Sequence, residues 1–324
     1  MDCIAQLFVN QVTDRIEEVI KVDDSDEARV CDELGHYVVT ESIKKQQLSI
    51  LEAYWAAYRT PHEGTAVWIS GFFGSGKSSF AKMLGIAIQD RKLAGRGAGA
   101  ILAERIGDTK ASVFLQQINE FVPTEAVIFD VSTDRGIRVG NQSITEIMYR
   151  LFLQNLGYAR ELDLAELEIT LEAEGRLDAF VAKYAELHGR EWDRDKGLPA
   201  VAIGRASAVM HALEPRTYNA PDSWVKGAKG RGDITPALLA DRCLELLKRR
   251  RPEKRNLLFV IDEVGQFVAR DGNKLEDLRA VVERLGQRGG GKIWVMVTSQ
   301  EHPFQGRWQV FLLEGHQGGN GEPR

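Results

Sequence analysis

The sequence predicts a parallel α/β sheet with helices on both faces, and three observations carry that expectation. Four short runs, residues 66–70, 126–131, 257–261 and 293–297, are apolar at nearly every position instead of alternating, as strands are when helices bury both sides of a sheet. Helical patterns separate these runs, at residues 77–89 after the first and 275–285 before the last, which implies a doubly wound arrangement. A glycine-rich turn of defined spacing joins the first strand to the first of those helices.

Taken in order, residues 14–21 read as helix, 37–39 as a short strand, and 42–58 as an amphipathic helix with Ile43, Leu48, Leu51, Trp55 and Tyr58 on one face. Pro61 and Gly64 close that segment. Between residues 131 and 257 no comparable strand occurs. Residues 144–156, 164–187 and 236–250 have helical periodicity, and Thr235-Pro236 is a start signal, a capping hydroxyl before proline at the first helical position. A glycine-rich loop is expected at 226–232, and no internal repeat is present.

The expected organisation is a mainly helical segment at 1–62, the first part of the α/β core at 63–132, a helical insertion at 133–252, the second part of the core at 253–301, and an irregular tail at 302–324. The tail is rich in glycine and polar residues and offers no evident strand. The sheet is therefore expected to be incomplete there, with Val67, Trp68 and Ile69 on an open edge, an arrangement that invites aggregation and suggests a truncated chain.

Composition narrows the classes. Apolar residues make up 44% and charged residues 27% of the 324 residues, ordinary for a globular protein. The net charge of −5 argues against coating nucleic acid by bulk charge, though not against a local basic face. The 3 cysteines, Cys3, Cys31 and Cys243, are far apart, so no zinc or redox motif is suggested. Such sparse use fits a reducing cytosol. Residues 1–10 lack a basic start followed by an apolar run, and no window has the apolar length of a membrane span. A cytoplasmic location is expected.

The chemistry is concentrated in three places. Gly71-Phe72-Phe73-Gly74-Ser75-Gly76-Lys77-Ser78 matches the phosphate-binding P-loop in full, between a buried strand and a helix. Gly71, Gly74, Ser75, Gly76, Lys77, Ser78 and Ser79 are the candidate nucleotide-binding residues. Backbone N–H groups would cradle phosphate oxygens at the positive end of the helix, Lys77 would reach the β- and γ-phosphates, and Ser78 would ligate Mg²⁺. The nucleotide is expected to be ATP. The run at 257–261 ends in Asp262-Glu263. Asp262 would hold Mg²⁺ and Glu263 would polarise the attacking water, at the strand ends where parallel sheets bind ligands. Asp130 also ends a strand but lacks an adjacent glutamate and ranks second. The last run is followed by Thr298-Ser299-Gln300. Gln300, and after it Ser299, is the candidate to touch the γ-phosphate or the water. Glu263, Lys77 and Gln300 are thus the catalytic candidates, and Ser78 and Asp262 the metal ligands.

The strongest basic cluster is Lys248, Arg249, Arg250, Arg251, Lys254 and Arg255, with Lys226, Lys229 and Arg231 a weaker group. It could meet nucleic-acid phosphates; the plainer reading is that cations complement the end of a helix. Arg279, Arg284 and Arg288 could face a neighbouring subunit or be ordinary helix surface. Tyr54, Trp55 and Trp68 read as core.

Four segments together resemble one family. They are residues 15–24 (RIEEVIKVDD), Tyr37-Val38-Val39-Thr40, the run from Val67-Trp68-Ile69-Ser70 through the P-loop, and Asp262-Glu263-Val264-Gly265-Gln266-Phe267. The family is the P-loop ATPase of BREX phage-exclusion systems, the BrxC/PglY family, and the resemblance spans residues 14 to about 301. It implies an AAA+-type ATPase, a bacterial cytoplasmic setting, a longer chain, and partners that include a DNA methyltransferase and an alkaline-phosphatase-like protein. Homo-oligomerisation at full length is expected, and contact with DNA remains an alternative. After Glu301 the sequence departs from the family pattern.

Overall fold

The computed structural model describes residues 26–72, 74–131, 143–228, 234–268, 272–300 and 309–313. The helix expected at 14–21 lies outside them. The chain opens with α1 (Glu27–His36) and α2 (Glu41–Arg59). Both starts have polar caps: Asp26 accepts from the amides of Ala28 and Arg29, and Thr40 from that of Ile43. Between them Tyr37–Val39, expected as a strand, is irregular. Among the described residues its β-branched residues have no neighbouring strand to pair with, and strand preference without a partner decides little. The buried side of α2 is carried by Gln47, Ile50, Leu51, Tyr54 and Ala57, about one residue round from the expected face, and Tyr58 is exposed.

The core alternates as the apolar runs require. It comprises β1 (Ala66–Gly71), α3 (Lys77–Gln89), a small hairpin of β2 (Lys92–Leu93) and β3 (Arg96–Gly97), α4 (Ala98–Ile106), α5 (Thr109–Phe121) and β4 (Thr124–Asp130). The expected insertion then supplies α6 (Ile144–Asn155), α7 (Leu162–Ala173), α8 (Leu177–His188), α9 (Trp192–Asp195), α10 (Pro199–Leu213), α11 (Ser223–Ala228) and α12 (Pro236–Arg250). The chain returns through β5 (Asn256–Asp262), α13 (Val264–Val268), α14 (Gly272–Gly289), β6 (Ile293–Gln300) and β7 (Gln309–Leu313). The single helix expected at 164–187 is two. Gly175 has φ +67°, and the Arg176 amide reaches back to the Leu171 carbonyl at 2.7 Å, the capping geometry that ends α7. Lys226, expected in a loop, lies in α11.

The sheet order is β4-β5-β6-β1-β7. The first four strands are parallel; β7 runs antiparallel to β1, pairing Ala66 with Leu313 and Ser70 with Gln309. This corrects two expectations. The edge of β1 is not open, and the tail contains a strand. Val310-Phe311-Leu312-Leu313 is a short apolar run that can pair despite its glycine-rich surroundings. The sheet is therefore a mixed five-stranded one with a four-stranded parallel core.

Two hydrophobic layers sandwich the sheet. One packs α1–α5 against Val67, Ile69, Ala126, Leu258, Val260, Trp294 and Met296. The other packs α6, α12 and α14 against Val127, Phe129, Leu257, Phe259, Ile261, Val295 and Val297 and continues without a break through α7–α11. The stretch read as an insertion thus forms, together with α14, one face of the core. Among the described residues no helix is long and apolar enough to cross a membrane.

The first layer hides an ion pair. Lys82, on the buried side of α3, has a fully buried side chain and lies 2.5 Å from Glu33 of α1, itself 11% exposed. Removing one partner of such a pair is much costlier than replacing both with apolar residues. Glu33→Ala is therefore expected to lose about 3 kcal/mol in chemical denaturation, and Glu33→Leu combined with Lys82→Met to recover most of it. Equal losses in single and double variants would contradict the burial argument.

Candidate phosphate and metal site

The parallel register gathers residues distant in sequence at one edge of the sheet. Asp130 pairs with Asp262, Ile69 with Thr298, and Gly71 with Gln300. The carboxyl ends of β1, β6, β5 and β4 therefore lie side by side, where open α/β sheets bind ligands.

The chain leaves β1 at Gly71 and enters α3 at Lys77. Gly74 and Gly76 have φ of +75° and +85°, a backbone that other residues adopt only with strain, and a Cβ on either would meet nothing within 4 Å. Among the described residues the space beside these two positions is therefore open. Gly76 is the N-cap of α3 and supplies no side-chain acceptor, so the first-turn amides at the positive end of the helix are not spent on a cap. Ser75 donates its amide to the Phe72 carbonyl at 3.2 Å. Lys77, only 6% exposed, donates to the same carbonyl at 2.7 Å. Ser78 and Ser79 are half-buried in the first turn. Phe73 lies outside the described residues.

Ser78 Oγ donates to Asp262 Oδ1 at 3.0 Å, closing a separation of 184 residues. Thr298 donates its hydroxyl to the same oxygen and accepts the Glu263 amide at 3.1 Å. Gln300 Nε2 donates to both carboxylate oxygens of Glu263, 3.1 Å each. Thus Ser78, Asp262, Glu263 and Gln300 belong to one constellation joined through Thr298, with Lys77 next to Ser78 in the chain. Ser299 does not join it: its hydroxyl accepts the Trp68 indole N–H at 2.9 Å. Asp130 stands beside Asp262 in the sheet and is one strand further from the loop. Sequence reasoning missed Thr298. The equal length of the apolar runs 257–261 and 293–297 is visible in the sequence, but their end-to-end pairing is set by the fold. The first polar residue after each, Asp262 and Thr298, must then be neighbours.

Asp262 is 3% exposed. Burial raises its pKa, the Thr298 and Ser78 hydroxyls pull it back, and the Asp130 and Glu263 charges push it up. A cation placed beside it would relieve both the burial and the repulsion. Among the described residues no group of three or more His, Cys, Asp and Glu could hold a metal by itself. The donor set fits Mg²⁺, which takes one or two carboxylates, a hydroxyl and substrate phosphate oxygens in place of an all-protein cage.

Half of the basic cluster is occupied within the molecule, while Lys248 and Arg255 are exposed. Arg249 lies 2.7 Å from Glu245 and 3.7 Å from Glu172. Arg250 lies 2.8 Å from Glu172 with its guanidinium 4.2 Å from the centre of the Tyr158 ring, and Lys254 donates to the Thr124 carbonyl at 2.9 Å. Lys226 pairs with Asp222 at 2.6 Å, while Lys229 and Arg231 lie outside the described residues. Arg279 and Arg284 are tied to Glu276 and Gln287 on α14 itself, and Arg288 is 3.8 Å from Asp241. Tyr54 is core and bonded to Thr124 at 2.8 Å. A cavity of about 580 Å³ between α14 and the face of β1 and β6 reaches Thr65, Ala66 and Trp68 but no residue of the phosphate loop. It lies toward the amino ends of the strands and is not where the site's donors converge.

No protein-family model matches this chain, and no solved structure matches it.

Glu263 also has an unusual backbone conformation. Its φ is +56°, a conformation costing a non-glycine residue about 1–3 kcal/mol. Glu263→Asn, which tolerates that backbone better, is expected to raise stability by about 1 kcal/mol in thermal unfolding. A fall in the unfolding midpoint would contradict the strain assignment.

Proposed function

We propose that this chain is a P-loop NTPase of the AAA+ type that binds ATP with Mg²⁺ at the carboxyl edge of its sheet and hydrolyses it. The observation that carries the reading is the Ser78–Asp262 hydrogen bond, which joins the end of the phosphate loop to the acidic strand end as a shared cation site requires. The sheet order supports it too, with β6 between the P-loop strand and the acidic strand.

In this reading the amides from Gly74 to Ser79 and the Lys77 ammonium bind the phosphate oxygens. Lys77 exchanges the Phe72 carbonyl for the β- and γ-phosphates. Mg²⁺, held by Ser78 and Asp262, supplies charge neutralisation on the phosphate oxygens. Glu263 orients a water and accepts its proton as the water oxygen bonds to the γ-phosphorus; the bond to the β–γ bridging oxygen breaks and ADP leaves. Gln300 positions Glu263 and the γ-phosphate. The resemblance of the Trp68 to Lys77 run to BREX ATPases supports a setting in a cytoplasmic phage-defence assembly. A DNA methyltransferase and an alkaline-phosphatase-like protein are its partners there, and the ATPase is oligomeric. Arg249, Arg250 and Lys254 of the basic cluster are engaged within the molecule, which weakens the reading as a DNA-acting motor.

A second reading, a nucleotide-dependent switch with little turnover, is favoured by the Gln300 amide lying on both Glu263 oxygens. ATP turnover and Mg²⁺-dependent binding distinguish the two. Glu263→Gln is expected to lower kcat by about 100-fold or more with binding retained, and Lys77→Ala to lose binding. Unchanged turnover in Glu263→Gln would remove that residue from the chemistry. Binding without turnover in the unaltered chain would favour the switch.

A further inference from the structure

Thr298 lies in the polar segment after the last apolar run but is not one of the residues expected to act there, yet its hydroxyl touches Asp262 and the Glu263 amide. A threonine hydroxyl has one proton to donate and two lone pairs. Here the proton goes to Asp262 Oδ1 and a lone pair accepts the Glu263 amide at 3.1 Å. Thr298 is 1% exposed, so bulk water does not compete for either bond. It sits in β6 opposite Ile69 of β1, inside the sheet between the P-loop strand and the acidic strand.

The other hydroxyl on Oδ1 has a different situation. Ser78 is half-buried at the open side of the loop and is itself a candidate cation ligand. Thr298 is therefore the fixed partner of the carboxylate, and Ser78 is the one that changes its company when ligand arrives. The second bond of Thr298 acts on the backbone. Glu263 holds a left-handed φ of +56°, and the contact of its amide with Thr298 is one that an extended continuation of β5 would lose.

We propose that Thr298 is the positioning residue of this site: one buried hydroxyl orients the Asp262 carboxylate toward the cation and fixes the backbone turn that delivers the Glu263 side chain to Gln300. It acts through its two neighbours and touches neither nucleotide nor metal. The assignment rests on the reading of Ser78 and Asp262 as the Mg²⁺ site. Residues that orient metal ligands are typically worth about 10- to 100-fold in metal affinity or activity.

The test compares Thr298→Val, which keeps the shape and removes the hydroxyl, with Thr298→Ser, which keeps the hydroxyl. The first readout is the Mg²⁺ concentration that half-saturates binding of a non-hydrolysable ATP analogue to the whole chain. Thr298→Val is expected to raise it about tenfold or more and Thr298→Ser to stay within about twofold of the unaltered protein. The second readout needs no ligand: amide exchange at Glu263 in metal-free protein, expected to quicken in Thr298→Val and to remain slow in Thr298→Ser. Should the valine variant fold poorly, Thr298→Ala against Thr298→Ser gives the same comparison. Valine and serine variants that behave alike in both readouts would overturn the role of Thr298 alone. An unaltered protein without Lys77-dependent, Mg²⁺-dependent binding of the analogue would overturn the underlying site reading and the proposal with it.

Discussion

One buried carboxylate organises the carboxyl edge of this sheet. Asp262 is almost wholly removed from water, and its Oδ1 accepts two hydroxyls, one from the helix that follows the phosphate loop and one from the neighbouring strand. Burying an ionisable acid is costly unless it is hydrogen-bonded, so both donors must be held in place. The requirement propagates outward. Ser78 can reach Asp262 only if the loop turns through Gly74 and Gly76 into α3, and Thr298 only if β5 and β6 keep their register. The same register brings Gln300 level with Gly71 and lets it hold Glu263.

The helices serve that arrangement from both sides. α3 is anchored from behind by the buried Lys82–Glu33 pair. On the opposite face α14, which lies between the strand ending in Asp262 and the strand ending in Gln300, accepts the start of α6. The Asp277 carboxylate takes the Ile144 amide at 2.7 Å and the Thr145 hydroxyl at 2.9 Å. The helical stretch from α6 to α12 is thus bonded directly to the connection between β5 and β6. A shift at the strand ends has a physical route into that stretch through α14. Arg249, Arg250 and Lys254, at and just beyond the end of α12, join this packing through Glu172, Glu245, the Tyr158 ring and the Thr124 carbonyl.

Much of this was legible in the sequence where one local pattern sufficed. The four parallel strands follow from uninterrupted apolar runs, α3 from its helical pattern after the glycine turn, α12 from its start signal, and the loop from glycine spacing. What escaped was decided by partners that sequence does not name. Tyr37–Val39 has strand preference and, among the described residues, no strand beside it. Gln309–Leu313 is a weak signal in glycine-rich surroundings, made a strand by the edge of β1. The break at Gly175 turns on one left-handed residue inside a run of continuous helical periodicity. Within the candidate site, Gln300 was legible from its position after a strand, whereas the division of labour in Thr298-Ser299-Gln300 was not. Alternation along β6 sends Ser299 to Trp68 on one face and leaves Thr298 and Gln300 for the acids.

The central claim is that three strand ends and one helix start form a single ligand site. Hydrogen–deuterium exchange of the whole chain with and without Mg²⁺ and ATP tests it most directly. The account predicts that ligand slows exchange together in residues 74–80, around Asp262 and Glu263, and at 298–300, while β4 and the helices from α7 to α11 change little. Protection confined to the loop, or absent from all three segments, would contradict it.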